Sequence, residues 1–257
     1  MAKKLKLWFD EELAKMLSSR IETLQSDFNS KTFVAKTRKG VEELELKPRV
    51  EFIADLLHTH LGDNYQNNCQ VLTQILGPEN ELETGMFTEY YWVMPIAKYV
   101  EKYGLDHFDV SMPIILEITK RNTSEYAIRP YLEKYPDKTL DKMAIWAADE
   151  NSHVRRLASE GVRPRLPWAS KLQQFIDDPT PIFSILEQLK DDTSKYVQKS
   201  VANCLNDILK DNLEMVRPVI ENWSKEATKE RKWILKHALR NLIKEEDSWA
   251  LSVLNSF

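Results

Sequence analysis

Apolar residues recur every three to four positions through much of the chain. Leu13, Met16, Leu17, Ile21 and Leu24 keep that spacing, and so do Val50, Ile53, Ala54, Leu57 and Leu61. A period near 3.6 marks one face of an amphipathic helix. Pro48 stands just ahead of the second set, where the fixed φ of proline suits a helix start. Gly77-Pro78, Gly85, Pro95, Gly104 and Pro113 then punctuate the chain. The stretches between such breakers run to roughly 10–18 residues, ordinary lengths for globular helices. No stretch sustains the two-residue alternation of a strand, so the pattern predicts an all-α protein.

The second half repeats itself. Aligning Val154 with Val197 puts Arg156 on Lys199 and Ala158 on Val201, an offset of 43 residues. Ile234 follows Val197 by 37 residues, with Lys236 then falling on Lys199 and Ala238 on Val201. Each copy is preceded by another apolar helical segment, at 140–148, 182–189 and 213–223. A fourth pair is expected ahead of these, with 114–118 leading into 124–132. Helix pairs at this period form the HEAT-like pattern, in which each pair completes its core only by stacking on the next. The expectation is one HEAT-like solenoid domain over residues 1–257, with the helices of 1–46 standing outside the clear pattern. The second helices would line a concave wall.

Composition removes several classes. The 257 residues contain only six glycines, at 40, 62, 77, 85, 104 and 161, no two closer than eight positions. Neither a dinucleotide-binding glycine turn nor a P-loop can be written from them. Cys69 and Cys204 are the two cysteines. They lie far apart without a C-x-x-C, which points to a reducing, cytoplasmic setting. The five histidines at 58, 60, 107, 153 and 237 form no metal-binding motif. No run approaches the ~18 apolar residues of a membrane span.

Charge adds a local feature. The chain carries 36 Lys and Arg against 40 Asp and Glu, a net charge of −4. Between His153 and Lys171, however, stand Arg155, Arg156, Arg163, Arg165 and Lys171 against the single acid Glu160. The field over one face matters more to a polyanion than the total. Arg155 or Arg156, Lys199 and Lys236 would recur along the second helices, where helix N-termini add positive potential. Such a wall suits a nucleic-acid backbone. It also suits a scaffold that binds an acidic protein, and the repeat alone favours the scaffold.

Four segments carry more than a repeat: 123–132, 153–169, 200–210 and 233–244. The most specific is Arg156-Leu-Ala-Ser-Glu-Gly161 followed by Arg163-Pro-Arg-Leu-Pro-Trp168. In order and spacing these resemble the AlkC branch of the AlkC/AlkD DNA alkylation-repair glycosylases, from about residue 47 to the C-terminus. That resemblance implies a monofunctional glycosylase that excises cationic N3-methylated bases, 3-methyladenine and 3-methylcytosine, without metal or cofactor. It implies a monomer acting on double-stranded DNA with alkylated bases, away from membranes and in use at the bacterial nucleoid. It puts the catalytic carboxylates on Glu125, Glu160 and Asp207, with Trp168 beside the lesion. Two positions depart from the pattern. Cys204 stands where an Asn is expected, and Gln198 where an Arg is common, with loss of a phosphate contact implied. No segment up to Phe257 matches the immunoglobulin-like domain of some relatives, so DNA contacts from such a domain are not expected.

The chemistry is consistent with those residue types. A base methylated at N3 is already cationic and leaves without a general acid. The demand shifts to the sugar, which gains oxocarbenium character and is stabilised by an ionised carboxylate that also orients water. Each candidate has an ordinary alternative. Glu160 can pair with Arg156 one turn away. Asp207 can be a surface acid near a helix end. Glu125 can sit in a first helical turn capped by Thr123 or Ser124. Trp168 can stack on a charged base or fill the core between repeats, and Trp146, Trp223 and Trp233 are expected in the core. Arg163 and Arg165 are assigned to phosphates, with intramolecular carboxylate pairing as the alternative. Tyr126 and Arg129 flank Glu125 and are placed near the substrate or the DNA. A non-catalytic DNA-structure binder and a protein-binding scaffold remain the competing functions.

Overall fold

A computed structural model describes residues 3–256, and the elements among them are all helical. The chain divides into two compact units that meet in sequence at Pro130 and Tyr131. In the first unit lie α1 (Glu11–Glu22), α2 (Ser30–Gly40), α3 (Leu46–Leu61), α4 (Tyr65–Gln74), α5 (Met94–Tyr103) and α6 (Phe108–Thr119). The short α7 (Arg129–Lys134) carries the chain onward. The second unit continues with α8 (Pro136–Trp146), α9 (Ser152–Glu160), α10 (Gln173–Asp177), α11 (Thr180–Leu189) and α12 (Lys195–Leu209). It ends with α13 (Leu213–Ser224), α14 (Lys229–Ala238), α15 (Arg240–Lys244) and α16 (Ser248–Asn255).

The apolar periodicity maps onto buried faces. Leu13, Leu17 and Ile21 of α1 and Ile53, Ala54 and Leu57 of α3 are buried. Leu24 lies past the end of α1 and is 43 % exposed, because the helix stops before its turn of the period is reached. Pro48 sits in the first turn of α3 rather than at its first position. Proline is tolerated there because first-turn N–H groups have no intrahelical partner.

The three helix pairs expected in the second half are present as α8–α9, α11–α12 and α13–α14. Each second helix starts at a side-chain cap. Asn151 accepts from the His153 amide, Ser194 from the Val197 amide and Thr228 from the Arg231 amide. α12 packs against both α9 and α14, so it forms the centre of this unit. The third copy is displaced by one turn. Val154 and Val197 are the third residues of their helices, whereas Ile234 is the sixth of α14. Thr228 caps α14 early, and the third position goes to Arg231, which is tied to Asp191. Among the described residues, no helix is long and apolar enough to cross a membrane.

Candidate active site

The best-defined polar cluster of the second unit forms where α9 runs into the Arg-Pro-Arg loop and meets α12. Glu160, the last residue of α9, is 6 % exposed, and Asp207, two residues from the end of α12, is 2 % exposed. Arg163 lies between them. Its Nη1 donates to Glu160 Oε1 at 2.7 Å and its Nε donates to Asp207 Oδ2 at 2.8 Å. The other Glu160 oxygen, Oε2, accepts from the Ser200 hydroxyl at 2.7 Å, and Ser200 is itself bonded to Ser159 at 2.7 Å. Arg156 approaches Glu160 Oε1 at 3.6 Å. Asp207 Oδ1 faces Lys210 Nζ at 3.2 Å, and that lysine side chain is 47 % exposed.

Burial alone would push the Glu160 carboxyl up. Arg156, Arg163 and the Ser200 hydroxyl outweigh it and hold the group below the ordinary glutamate value. The sign of the pH dependence follows. A depressed folded-state value adds stability that is fully present above the unfolded glutamate value of about 4.3. That stability is lost as the pH falls through the folded value. Melting temperature measured against pH in acid should therefore fall less steeply for Glu160→Gln than for the wild type. Superimposable acid limbs would contradict this.

The loop from 161 to 172 is held in two ways. Val162, Leu166 and Leu172 are buried. Arg165 forms a two-pronged pair with Asp211, Nε to Oδ2 and Nη2 to Oδ1, both at 2.6 Å. Arg163 and Arg165 thus reach Asp207, near the end of α12, and Asp211, just past it. At the loop tip Trp168 is 80 % exposed and has φ of 65°. A bulky residue in that left-handed region costs roughly 1–2 kcal/mol. Strain held at an exposed aromatic points to use rather than packing.

Trp168 is exposed rather than filling the core between repeats, and Trp146 and Trp223 are buried as expected, at 5 % and 1 % exposure. Trp233 is only partly buried: its ring stacks on His237 at 4.9 Å, under Lys195 Nζ at 3.7 Å. Arg163 and Arg165 take the carboxylate pairing that was the alternative to phosphate contact. Arg155 is likewise engaged, with Asp192 at 2.6 Å and the carbonyls of Asp149 and Glu150 at 2.9 and 2.8 Å. The Arg156 guanidinium lies 4.7 Å from the Tyr196 ring centre. Gln198 is buried and donates to the Asp192 carbonyl at 2.7 Å, so it works inside the fold. Lys199 and Lys236 are exposed.

Glu125 belongs to the first unit. It is 6 % exposed and sits in the turn between α6 and α7, not in a first helical turn. The Ser124 hydroxyl does not cap α7; it turns back to the Ile115 carbonyl at 3.2 Å and accepts from Thr119 at 2.9 Å. Arg129 is buried, and Tyr126 is half-buried with Lys47 Nζ 5.6 Å from its ring centre. Ser159, Ser200, Lys210, Asp211 and Arg240 are the site residues that sequence reasoning missed. Only Asp211 carried a signal, its four-residue spacing from Asp207. Among the described residues, no group of three or more His, Cys, Asp or Glu is arranged to hold a metal ion.

The stacked-helix fold matches one class of protein. A family model described as DNA alkylation repair enzyme matches residues 119–242, and the chain belongs to that family. It is similar to a Pseudomonas fluorescens structure, the alkylpurine DNA glycosylase AlkC bound to DNA containing an abasic site analog. The two are 36 % identical with a TM-score of 0.88, over 99 % of this chain and 69 % of that one. The uncharacterized protein YhaZ of Bacillus subtilis (strain 168) is also 36 % identical, over 97 % of this chain and 67 % of its own length.

Proposed function

We propose that this chain is a DNA glycosylase that hydrolyses the N-glycosidic bond of cationic N3-methylated bases, 3-methyladenine and 3-methylcytosine, in double-stranded DNA. The observation that carries it is the buried Glu160–Arg163–Asp207 cluster, with the strained, exposed Trp168 further along the loop that Arg163 begins. Asp207 is assigned the central role. Its Oδ2 is taken by Arg163, but among the described residues Oδ1 meets only Lys210, whose side chain is about half exposed, a weak pairing. That oxygen is the one fitted to stabilise the positive sugar and orient the attacking water. Both Glu160 oxygens are engaged, so Glu160 acts through its charge. Glu125 carries a catalytic assignment by resemblance alone. Trp168 stacks on the lesion, adding cation–π attraction to a methylated base.

The basic side chains divide by their surroundings. Lys199 and Lys236 are exposed, with no hydrogen bond or ion pair among the described residues, and are assigned to DNA phosphates. Lys199→Ala and Lys236→Ala should each lower the slope of log affinity against log salt by about one. An unchanged slope would remove that lysine from the interface. Arg155, Arg156 and Arg165 are assigned to ordering the surface around these contacts.

The relative from Pseudomonas fluorescens supports the reaction, because an abasic site is what base release leaves behind. A non-catalytic DNA binder draws its support from the same Arg163 and Ser200 bonds that engage the carboxylates. Incubating the protein with methylated duplex DNA and separating the released bases distinguishes the two. Free 3-methyladenine or 3-methylcytosine above the buffer control is expected. Tight binding without release would overturn the glycosylase reading.

A further inference from the structure

We propose that Arg163 is a positioning residue for excision, spanning Glu160 and Asp207 with one guanidinium and fixing both the separation and the charge of the pair. This rests on the glycosylase reading above. The observations are geometric. One planar group reaches acids 47 residues apart in sequence with Nη1 and Nε, at 2.7 and 2.8 Å. Arg163 is 7 % exposed and both acids are buried, so each bond is made away from competing water. Lysine has a single terminal nitrogen and lacks the two-armed fork.

The groups facing the pair make Arg163 the controlling one. From α9 come Arg156, at 3.6 Å from Glu160, and Ser159, which reaches it through Ser200. From α12 come Ser200 and Lys210. From α15 comes Arg240, whose Nη2 donates to Asn203 at 3.1 Å and whose charge feels both Asp207 and Arg163. Of the cations among the described residues, only Arg163 hydrogen-bonds both acids. Without it, two carboxylates would share a buried site, and like charge would favour protonating one of them. A protonated acid cannot stabilise a cationic sugar. Arg163 also starts the segment that leads to Trp168, so the same bonds fix where the loop that follows α9 lies against α12.

The test is single-turnover base release against pH, between about pH 3 and pH 9, for wild type, Arg163→Met and Arg163→Lys. For Arg163→Met the acid limb should move up by about 1–3 pH units, so the loss is greatest in acid and shrinks as the pH rises. Arg163→Lys should keep the limb near its wild-type position at a lower plateau. A loss by the same factor at every pH, as a purely structural role would give, overturns the proposal, as does an unchanged profile. Should Arg163→Met fail to fold, Ser200→Ala removes only the hydroxyl on Glu160 Oε2 and should shift the limb upward by less; no shift there overturns it. A wild type that released no base would defeat the glycosylase reading instead. The acid limb of the melting curve of Arg163→Lys against wild type would then still report whether the two-armed bridge sets the charge of the pair.

Discussion

Asp207→Asn is expected to reduce base release by about 10²–10³-fold, the scale of losing one preorganised electrostatic contact to the transition state. Binding to methylated duplex should stay close to wild type. The amide is nearly isosteric, and its oxygen can still accept from Arg163 Nε, so the end of α12 and the 161–172 loop keep their anchor. What goes is the negative charge whose second oxygen, among the described residues, faces only the half-exposed Lys210. Single-turnover release measured beside a binding titration separates the two effects. Full release by Asp207→Asn would remove the residue from the mechanism. Loss of binding equal to loss of release would make it a DNA contact or a folding residue.

The second large effect is on stability. Trp223 on α13 is 1 % exposed, and its Nε1 donates to Glu187 Oε2 on α11 at 2.5 Å. Trp223→Ala removes a large buried ring and leaves a cavity. A cost of about 3–5 kcal/mol is expected. α13 packs against α12, which carries Asp207, so base release should disappear above the lowered melting temperature. Urea unfolding of wild type and variant measures the difference. A cost under about 1 kcal/mol would mean that the surroundings collapse to refill the space.

These two residues differ in how openly the sequence announced them. Trp223 stood at an apolar position of a helical period, and burial followed from that period. Trp233 stood in a similar pattern and is only partly buried, because its face of α14 lies beneath Lys195 and beside His237. Periodicity names a face; whether a neighbour covers it depends on the next helix. Arg163 and Arg165 show the same limit for charge. A run of arginines with one local acid reads as a polyanion-binding patch. Their partners, Asp207 and Asp211, lie 44 and 46 residues further along and meet them only when α9, the loop and α12 pack.

By itself, the sequence determined the helical class and the paired repeats of the second half. These depend on contacts a few residues apart and are written in local spacing. The motif from Arg156 to Trp168 also marked the family before any coordinates. Only the tertiary structure decided that Glu160 and Asp207 share one arginine, that Ser200 completes the set and that Trp168 stands in solvent on a strained backbone. Ion pairing and burial are properties of neighbours in space, and those neighbours come from distant helices.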